Sequence, residues 1–205
     1  MYKVFINDKT LIITDKPEKE KSTKTHIVKE YTWDKDIDLI LNELETKKTI
    51  KSAELVGEKE DKLWKTFEKK FTVIEAAGGL VYNDEGKFLF IFRNGKWDLP
   101  KGKIEPGEPT DVTAKREIKE ETGVEELKLR GFLPESYHMY KDDNGKWILK
   151  INYWFKFLGK AEKLTPQKEE GIEKAEWLTK KEVKEMALKN TYPSLIPVIK
   201  EGIEE

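Results

Sequence analysis

The 205-residue chain balances 39 Lys and Arg against 40 Asp and Glu, for a formal net charge of −1. No global field therefore draws it to nucleic acid or to an anionic membrane, and an anionic ligand must be held by a local cluster. Cysteine is absent, which excludes disulfides and cysteine-ligated zinc.

Six Trp and nine Phe mark a folded chain even though 39% of its residues are charged. The length suits one medium domain, or a core domain with a small companion. The opening segment MYKVFINDKT has no basic stretch followed by an apolar one, and no apolar run approaches spanning length. A cytoplasmic protein without a membrane partner is expected.

In chain order, Tyr2, Val4 and Ile6 alternate with polar residues. Asn7-Asp8 supplies turn chemistry and Leu11, Ile12 and Ile13 follow, predicting a hairpin. Residues 16–25, KPEKEKSTKT, read as a charged loop. Ile37, Leu39, Ile40, Leu41 and Leu44 predict a helix starting at Asp34. A short strand at 53–56 precedes a second helix with the apolar stripe Leu63, Trp64, Phe67 and Phe71. Residues 1–70 are expected to form a small α/β domain of unknown role, fit to dimerise, to cap a site or to dock another protein. No basic recognition helix stands out there, which weighs against a DNA-binding regulator.

From Thr72 the texture changes. VIEAAGGLVYN predicts a strand, Asp84-Glu85-Gly86 a turn and KFLFIFR a second strand. LPKGKIEPGEP reads as a long loop, followed by a helix at 111–122 with Thr110 as N-cap and Gly123 past its end. Two strands flank the turn Asp142-Asp143-Asn144-Gly145, the second being WILKINYWFKFL. Thr179 and Glu182 form a capping-box pattern for another helix, and Leu195, Ile196, Val198 and Ile199 predict one more.

The helix at 111–122 carries Glu117, Glu120 and Glu121 at i, i+3 and i+4, so the three carboxylates share one face. Like charges at these spacings repel, and near the helix C-terminus the macrodipole disfavours them further. A hard divalent cation reverses the sign of that repulsion, and Mg²⁺ or Mn²⁺ suits carboxylate oxygens. Three acids alone would fit a solvated face equally well; the preceding loop decides. Gly102 is followed by five residues and Glu108, then by seven residues and Arg116-Glu117. Apolar Ile118, Glu120-Glu121, Gly123 and apolar Val124 complete the pattern. This resembles the Nudix box with every fixed position filled, and the flanking AAGGLVYN and WDLPKGKIEPGE are also similar to that family.

The resemblance covers residues 72–205 and implies a Nudix domain, an α/β/α sandwich with a mixed sheet that cleaves nucleoside diphosphates linked to another moiety. It implies metal ligation by Glu117, Glu120, Glu121 and the backbone carbonyl of Lys101, with Arg116 steering the glutamates and Glu108 in support. The family often adds an acid six residues before the Trp of a later strand. Here Gly171 holds that place before Trp177, with Glu169 and Glu170 just ahead; Glu120, Glu169 or Glu170 would accept the proton of the attacking water. Tyr140, sixteen residues past the box, resembles the dinucleoside polyphosphate hydrolases, whose phosphate-side residues match Lys150 and Tyr153. Arg93, Lys101 and Lys103 bracket the box and could clamp phosphates. The expected cofactor is Mg²⁺, with Mn²⁺ able to substitute. The alternatives are a house-cleaning nucleoside triphosphatase, an RNA 5′-end pyrophosphohydrolase, or a nucleotide sensor acting through residues 1–70. A homodimer is compatible with all of them, and no DNA partner is expected.

Overall fold

The structure is a computed structural model that describes residues 1–19, 21–161 and 163–204. The chain divides into two compact units, one of Met1–Ile74 with Tyr137–Lys150, the other of Glu75–Ser136 with Ile151–Glu205. Parallel and antiparallel strand pairs both occur.

In the first unit, β1 (Tyr2–Ile6) and β2 (Lys9–Thr14) form the expected hairpin, with Asn7 at φ 55° in the turn. β3 (His26–Glu30) and β4 (Ser52–Val56) extend it through parallel pairs β2–β4 and β3–β4. β1 also pairs in parallel with residues Tyr137 and His138 of β9 (Glu126–Lys141). Strand β3 was not anticipated from the sequence, since His26 and Lys29 interrupt a short apolar pair. Alternate residues Val4, Ile6, Leu11, Ile13, Ala53 and Leu55 are buried. So are Ile37, Ile40, Leu41 and Leu44 of α1 (Asp34–Thr46), and Leu63, Trp64 and Phe67 of α2 (Glu60–Lys69). Helix α1 does start at Asp34. Its first turn is held by Asp36, whose carboxylate accepts from Thr32 N (2.9 Å), Thr32 Oγ1 (2.7 Å) and Trp33 N (3.2 Å). With Lys29 at 2.8 Å, these donors hold the Asp36 carboxyl well below the usual range.

The second unit is layered. Its strand order is β11 (Ile172–Leu178), β6 (Phe88–Arg93), β5 (Thr72–Tyr82), β10 (Trp147–Lys160), β9; β7 (Lys96–Asp98) adds to β6 and β8 (Lys101–Lys103) to β5. Neighbouring residues on one strand serve opposite cores, because side chains alternate across a sheet. Val81, Leu89 and Phe155 pack with Ala114 and Ile118 of α3 (Thr110–Thr122). Leu80, Phe90 and Trp154 pack with Leu195, Val198, Ile199 and Ile203, the last three on α5 (Ile196–Glu204). This is the expected α/β/α sandwich. Between β11 and α5, the Thr179–Glu182 capping box opens a single turn, α4 (Lys180–Glu182), which runs on as a π-helical turn, Val183–Ala187.

Two local expectations need correction. Helix α3 begins at Thr110, with Pro109 rather than Thr110 in the N-cap position. Pro109 has extended geometry and its carbonyl accepts from Thr113 N at 2.9 Å, so it occupies the half-in position itself. The segment LPKGKIEPGEP is not loop throughout: Lys101, Gly102 and Lys103 pair with Gly78, Ala77 and Ala76 of β5. Among the described residues, no helix is long and apolar enough to cross a membrane.

Candidate active site

Helix α3 buries Ala114 and Ile118 and turns its acids toward the β8 side. Gly123 closes it in the left-handed conformation, φ 77°, as its lack of a Cβ allows. Arg116 organises the helix face. Its Nε and Nη2 reach Glu108 at 3.0 and 2.8 Å, a two-pronged contact that lysine could not make. Its Nη1 reaches Glu117 at 2.6 Å and Glu120 at 3.3 Å, and Nη2 also donates to the Lys103 carbonyl at 3.2 Å. One guanidinium thus joins the loop, β8 and two of the three glutamates. The Arg116 and Thr113 hydrogen bonds hold the Glu108 carboxyl down to about 2.

Glu117 is 7% exposed and lies directly over Gly102, where an added Cβ would sit 1.9 Å from its carboxyl carbon. Burial raises its pKa; Arg116 opposes that, and repulsion from Glu120 and Glu170 adds to it. Glu121 is fully buried. Its carboxylate accepts from the Lys101 backbone N–H at 2.9 Å and from Arg93 Nη1 at 3.3 Å. Burial nonetheless pushes its pKa up to about 7, against the pull of Lys101 and Arg93. Glu120 by contrast keeps about half its side chain open to solvent, 48%.

Asp98 is a member of this cluster to which the sequence reading gave no role. It is 1% exposed and accepts from Lys101 Nζ (2.5 Å), Arg93 Nε (3.3 Å) and Leu99 N (2.8 Å). The signal was an acid between Trp97 and Leu99, an apolar pair that buries whatever lies between them. Burial works against the Arg93 charge, yet Asp98 and Glu121 outweigh it and hold the guanidinium firmly protonated.

Glu170 ends a short 3₁₀ turn, with Gly171 beyond it at φ 73°. Its carboxylate lies 3.9 Å from Arg93 Nη1. Past Gly171, Ile172 pairs with Arg93 but Lys174 with Phe92, so Glu173 is an extra residue in the ladder, a β-bulge.

Glu117, Glu120, Glu121, Arg116, Arg93, Lys101 and Glu170 therefore share one neighbourhood. Lys103 joins it through its main-chain carbonyl, its side chain being exposed. Tyr153 hydrogen-bonds Glu75 Oε1 at 2.6 Å, and the Glu75 carbonyl accepts from Ile104 N at 3.1 Å, just past β8. Tyr140 and Lys150 belong to the first unit; the Tyr140 ring is tilted against His138, centroids 5.9 Å apart.

The glutamates do not converge on one point. Glu117 and Glu120 turn to Arg116, Glu121 to Arg93 and the Lys101 amide; among the described residues no three His, Asp or Glu side chains form a ligand cage. The donor set still suits a hard divalent cation. It consists of carboxylate oxygens beside a peptide backbone, and Glu117 already carries repulsion from Glu120 and Glu170 that a cation would relieve.

Residues 73–200 match the NUDIX domain family. An RNA pyrophosphohydrolase of Caulobacter vibrioides is 33% identical over 92 residues, covering 40% of this chain and 53% of that protein. The chain thus spans about half the length of the curated relatives it matches. Among solved structures, the E. coli ORF135 protein is 23% identical with a TM-score of 0.46, over 64% of this chain and 89% of that one. An Ap4A hydrolase of C. elegans is 21% identical with a TM-score of 0.46, over 62% and 93% respectively.

Proposed function

We propose that this chain, which belongs to the NUDIX domain family, is a metal-dependent pyrophosphohydrolase that cleaves a phosphoanhydride bond in a nucleoside diphosphate-linked substrate. The observation that carries the reading is Arg116 bound at once to Glu108, Glu117 and Glu120. A guanidinium spanning those three acids positions a helix face whose purpose is to present carboxylates, since stability alone would disperse them.

Glu117, Glu120, Glu121 and the Lys101 carbonyl would hold Mg²⁺, or Mn²⁺ in its place. The cation, when bound, neutralises phosphate charge and makes water a better nucleophile. The protein's own groups divide the remaining work by exposure. Glu121 is enclosed, with both carboxylate oxygens engaged, so it braces the Lys101 peptide against α3. Glu120 and Glu170 are each about half open, at 48% and 49%. One of these two accepts the proton of the attacking water. The bulge at Glu173 lengthens the path to Trp177 by one residue, which is why Glu170 stands where the family's loop acid is expected one position later. Arg93, already facing Glu121 and Glu170, is placed to meet phosphate oxygens, with Lys103 at the rim.

For the substrate, Tyr140, Lys150 and Tyr153 favour a dinucleoside polyphosphate, on the resemblance already described. The second reading is a triphosphorylated RNA 5′ end, favoured by the 33% identity to an RNA pyrophosphohydrolase. The complete set of box acids argues for catalysis over a pure sensor. A substrate screen with Mg²⁺ and Mn²⁺ tests all of this, covering diadenosine polyphosphates, ADP-ribose, nucleoside triphosphates and triphosphorylated RNA. Metal-dependent release of mono- or diphosphate products is expected, abolished by EDTA. No release from any substrate at high protein concentration would leave the sensor.

A further inference from the structure

Helix α2 presents a second anion-facing surface, in the first unit and independent of the hydrolase reading. Its buried side carries Leu63, Trp64 and Phe67. On the opposite side stand Lys59, just before the helix, and Lys62, Lys65 and Lys69, all exposed. At about 1.5 Å rise per residue these four run along roughly 15 Å of one face. They line an 800 Å³ concavity with Asp15, Glu60, Asp61 and Thr66.

Elsewhere in the chain, exposed helical lysines find acids four residues away, as in Lys47–Glu43 (3.1 Å) and Lys115–Asp111 (3.6 Å). Among the described residues, none of the four α2 lysines has an acidic partner. The rim acids are turned elsewhere: Asp61 accepts from the Tyr2 hydroxyl at 3.1 Å, and Glu60 pairs with the Met1 amino group. Local positive charge is left unneutralised in a concave place.

Next to it lies a smaller hollow of 220 Å³, lined by Tyr31, Gly57, Glu58, Lys59, Lys62, Leu63 and Thr66. Lys59, Lys62 and Thr66 are common to both. A half-exposed aromatic ring beside a lysine row is the pairing that binds single strands, with bases stacking and phosphates tracking the charge. We propose that this face of α2 docks single-stranded RNA through its sugar-phosphate backbone, with one unpaired base against Tyr31. An anionic membrane fits less well, because an interfacial helix turns apolar residues outward between its lysines and α2 buries all three of its own. The row contains only lysine, with no Arg, Asn or Gln to read base edges, so the binding is indifferent to sequence.

The test is fluorescence anisotropy of the full chain with a short, labelled 5′-hydroxyl RNA in EDTA, which offers the catalytic site neither a scissile bond nor a metal. Affinity should fall steeply with salt. Replacing Lys59, Lys62, Lys65 and Lys69 together by Gln should flatten the log–log salt dependence by about 2.8, the value for four phosphate contacts on a single strand. The matching four Lys→Arg changes should retain binding, which excludes unfolding as the cause. Tyr31→Ala should weaken RNA binding about five-fold or more without changing the salt slope. Mononucleotide-substrate hydrolysis should be unchanged in every variant. An unaltered slope in the Gln variant overturns the proposal. So does equal binding of an acidic polypeptide with no effect of Tyr31→Ala, which would make the face a general polyanion surface.

Discussion

Gly102→Ala separates geometry from strain at the candidate site. A methyl group at residue 102 would lie 1.9 Å from Glu117 Cδ and 2.0 and 2.2 Å from its two oxygens. The carboxylate must retreat by about 1.5 Å to regain the ordinary 3.4 Å contact. It is the free end of a flexible side chain, so the fold survives. The loss is at most the charge-assisted Arg116–Glu117 hydrogen bond, about 1.5–3 kcal/mol, and less if the displaced carboxylate finds water. Activity has no such escape, because a shift of about 1 Å in a working group costs roughly 100-fold. Expected, then, is a drop in kcat/KM of about 100-fold or more with a Tm lowered by only a few degrees. Gly107→Ala is the control. It meets no atom within 4 Å but sits at φ 81°, so it should cost about 1–2 kcal/mol of stability through backbone strain and leave kcat near its original value. Steady-state kinetics on the best substrate, with thermal melts of both variants, would decide the matter. Full activity in Gly102→Ala would refute the placement of Glu117 over the β8 backbone, and with it the proposed site.

Three other expectations follow from the same coordinates. Glu120→Gln should lower kcat by about 10²–10⁴ and leave the melting temperature unchanged, since the side chain is half exposed; kinetics and calorimetry check both halves. Glu121 is raised to about 7 in the fold and should titrate near 4.3 when unfolded. Between these values the folded state holds the extra proton, so metal-free stability is greatest below pH 4.3 and is lost as pH rises through 7, by about 3 kcal/mol. Denaturant titrations in EDTA should show this fall in the wild type and lack it in Glu121→Gln. Ser136 Oγ accepts from Trp154 Nε1 (2.8 Å) and Asn152 Nδ2 (3.2 Å) among residues no more than 3% exposed. Ser136→Ala should therefore cost about 1–3 kcal/mol by leaving the indole donor unmet; equilibrium unfolding measures it.

The sequence by itself was enough for whatever depends on spacing along one element. Three glutamates at i, i+3 and i+4 share a helix face whatever the helix packs against, and Gly123 stops that helix because it tolerates φ 77°. The alternation of Val4, Ile6, Leu11 and Ile13 likewise fixes which residues of the first hairpin are buried. Partners distant in sequence were another matter. That Asp98 faces Arg93 and Lys101, that Glu121 is sealed against the Lys101 amide, and that a bulge at Glu173 brings Glu170 to Arg93 all depend on how β6, β8, α3 and β11 meet. The lysine row of α2 could be counted in the sequence. Only the folded chain reveals that its neighbouring acids are occupied and that the row lines a concavity beside Tyr31. Helical and strand periodicities are short-range and survive in one dimension; charge pairing and burial are set by three-dimensional proximity, which no local pattern encodes.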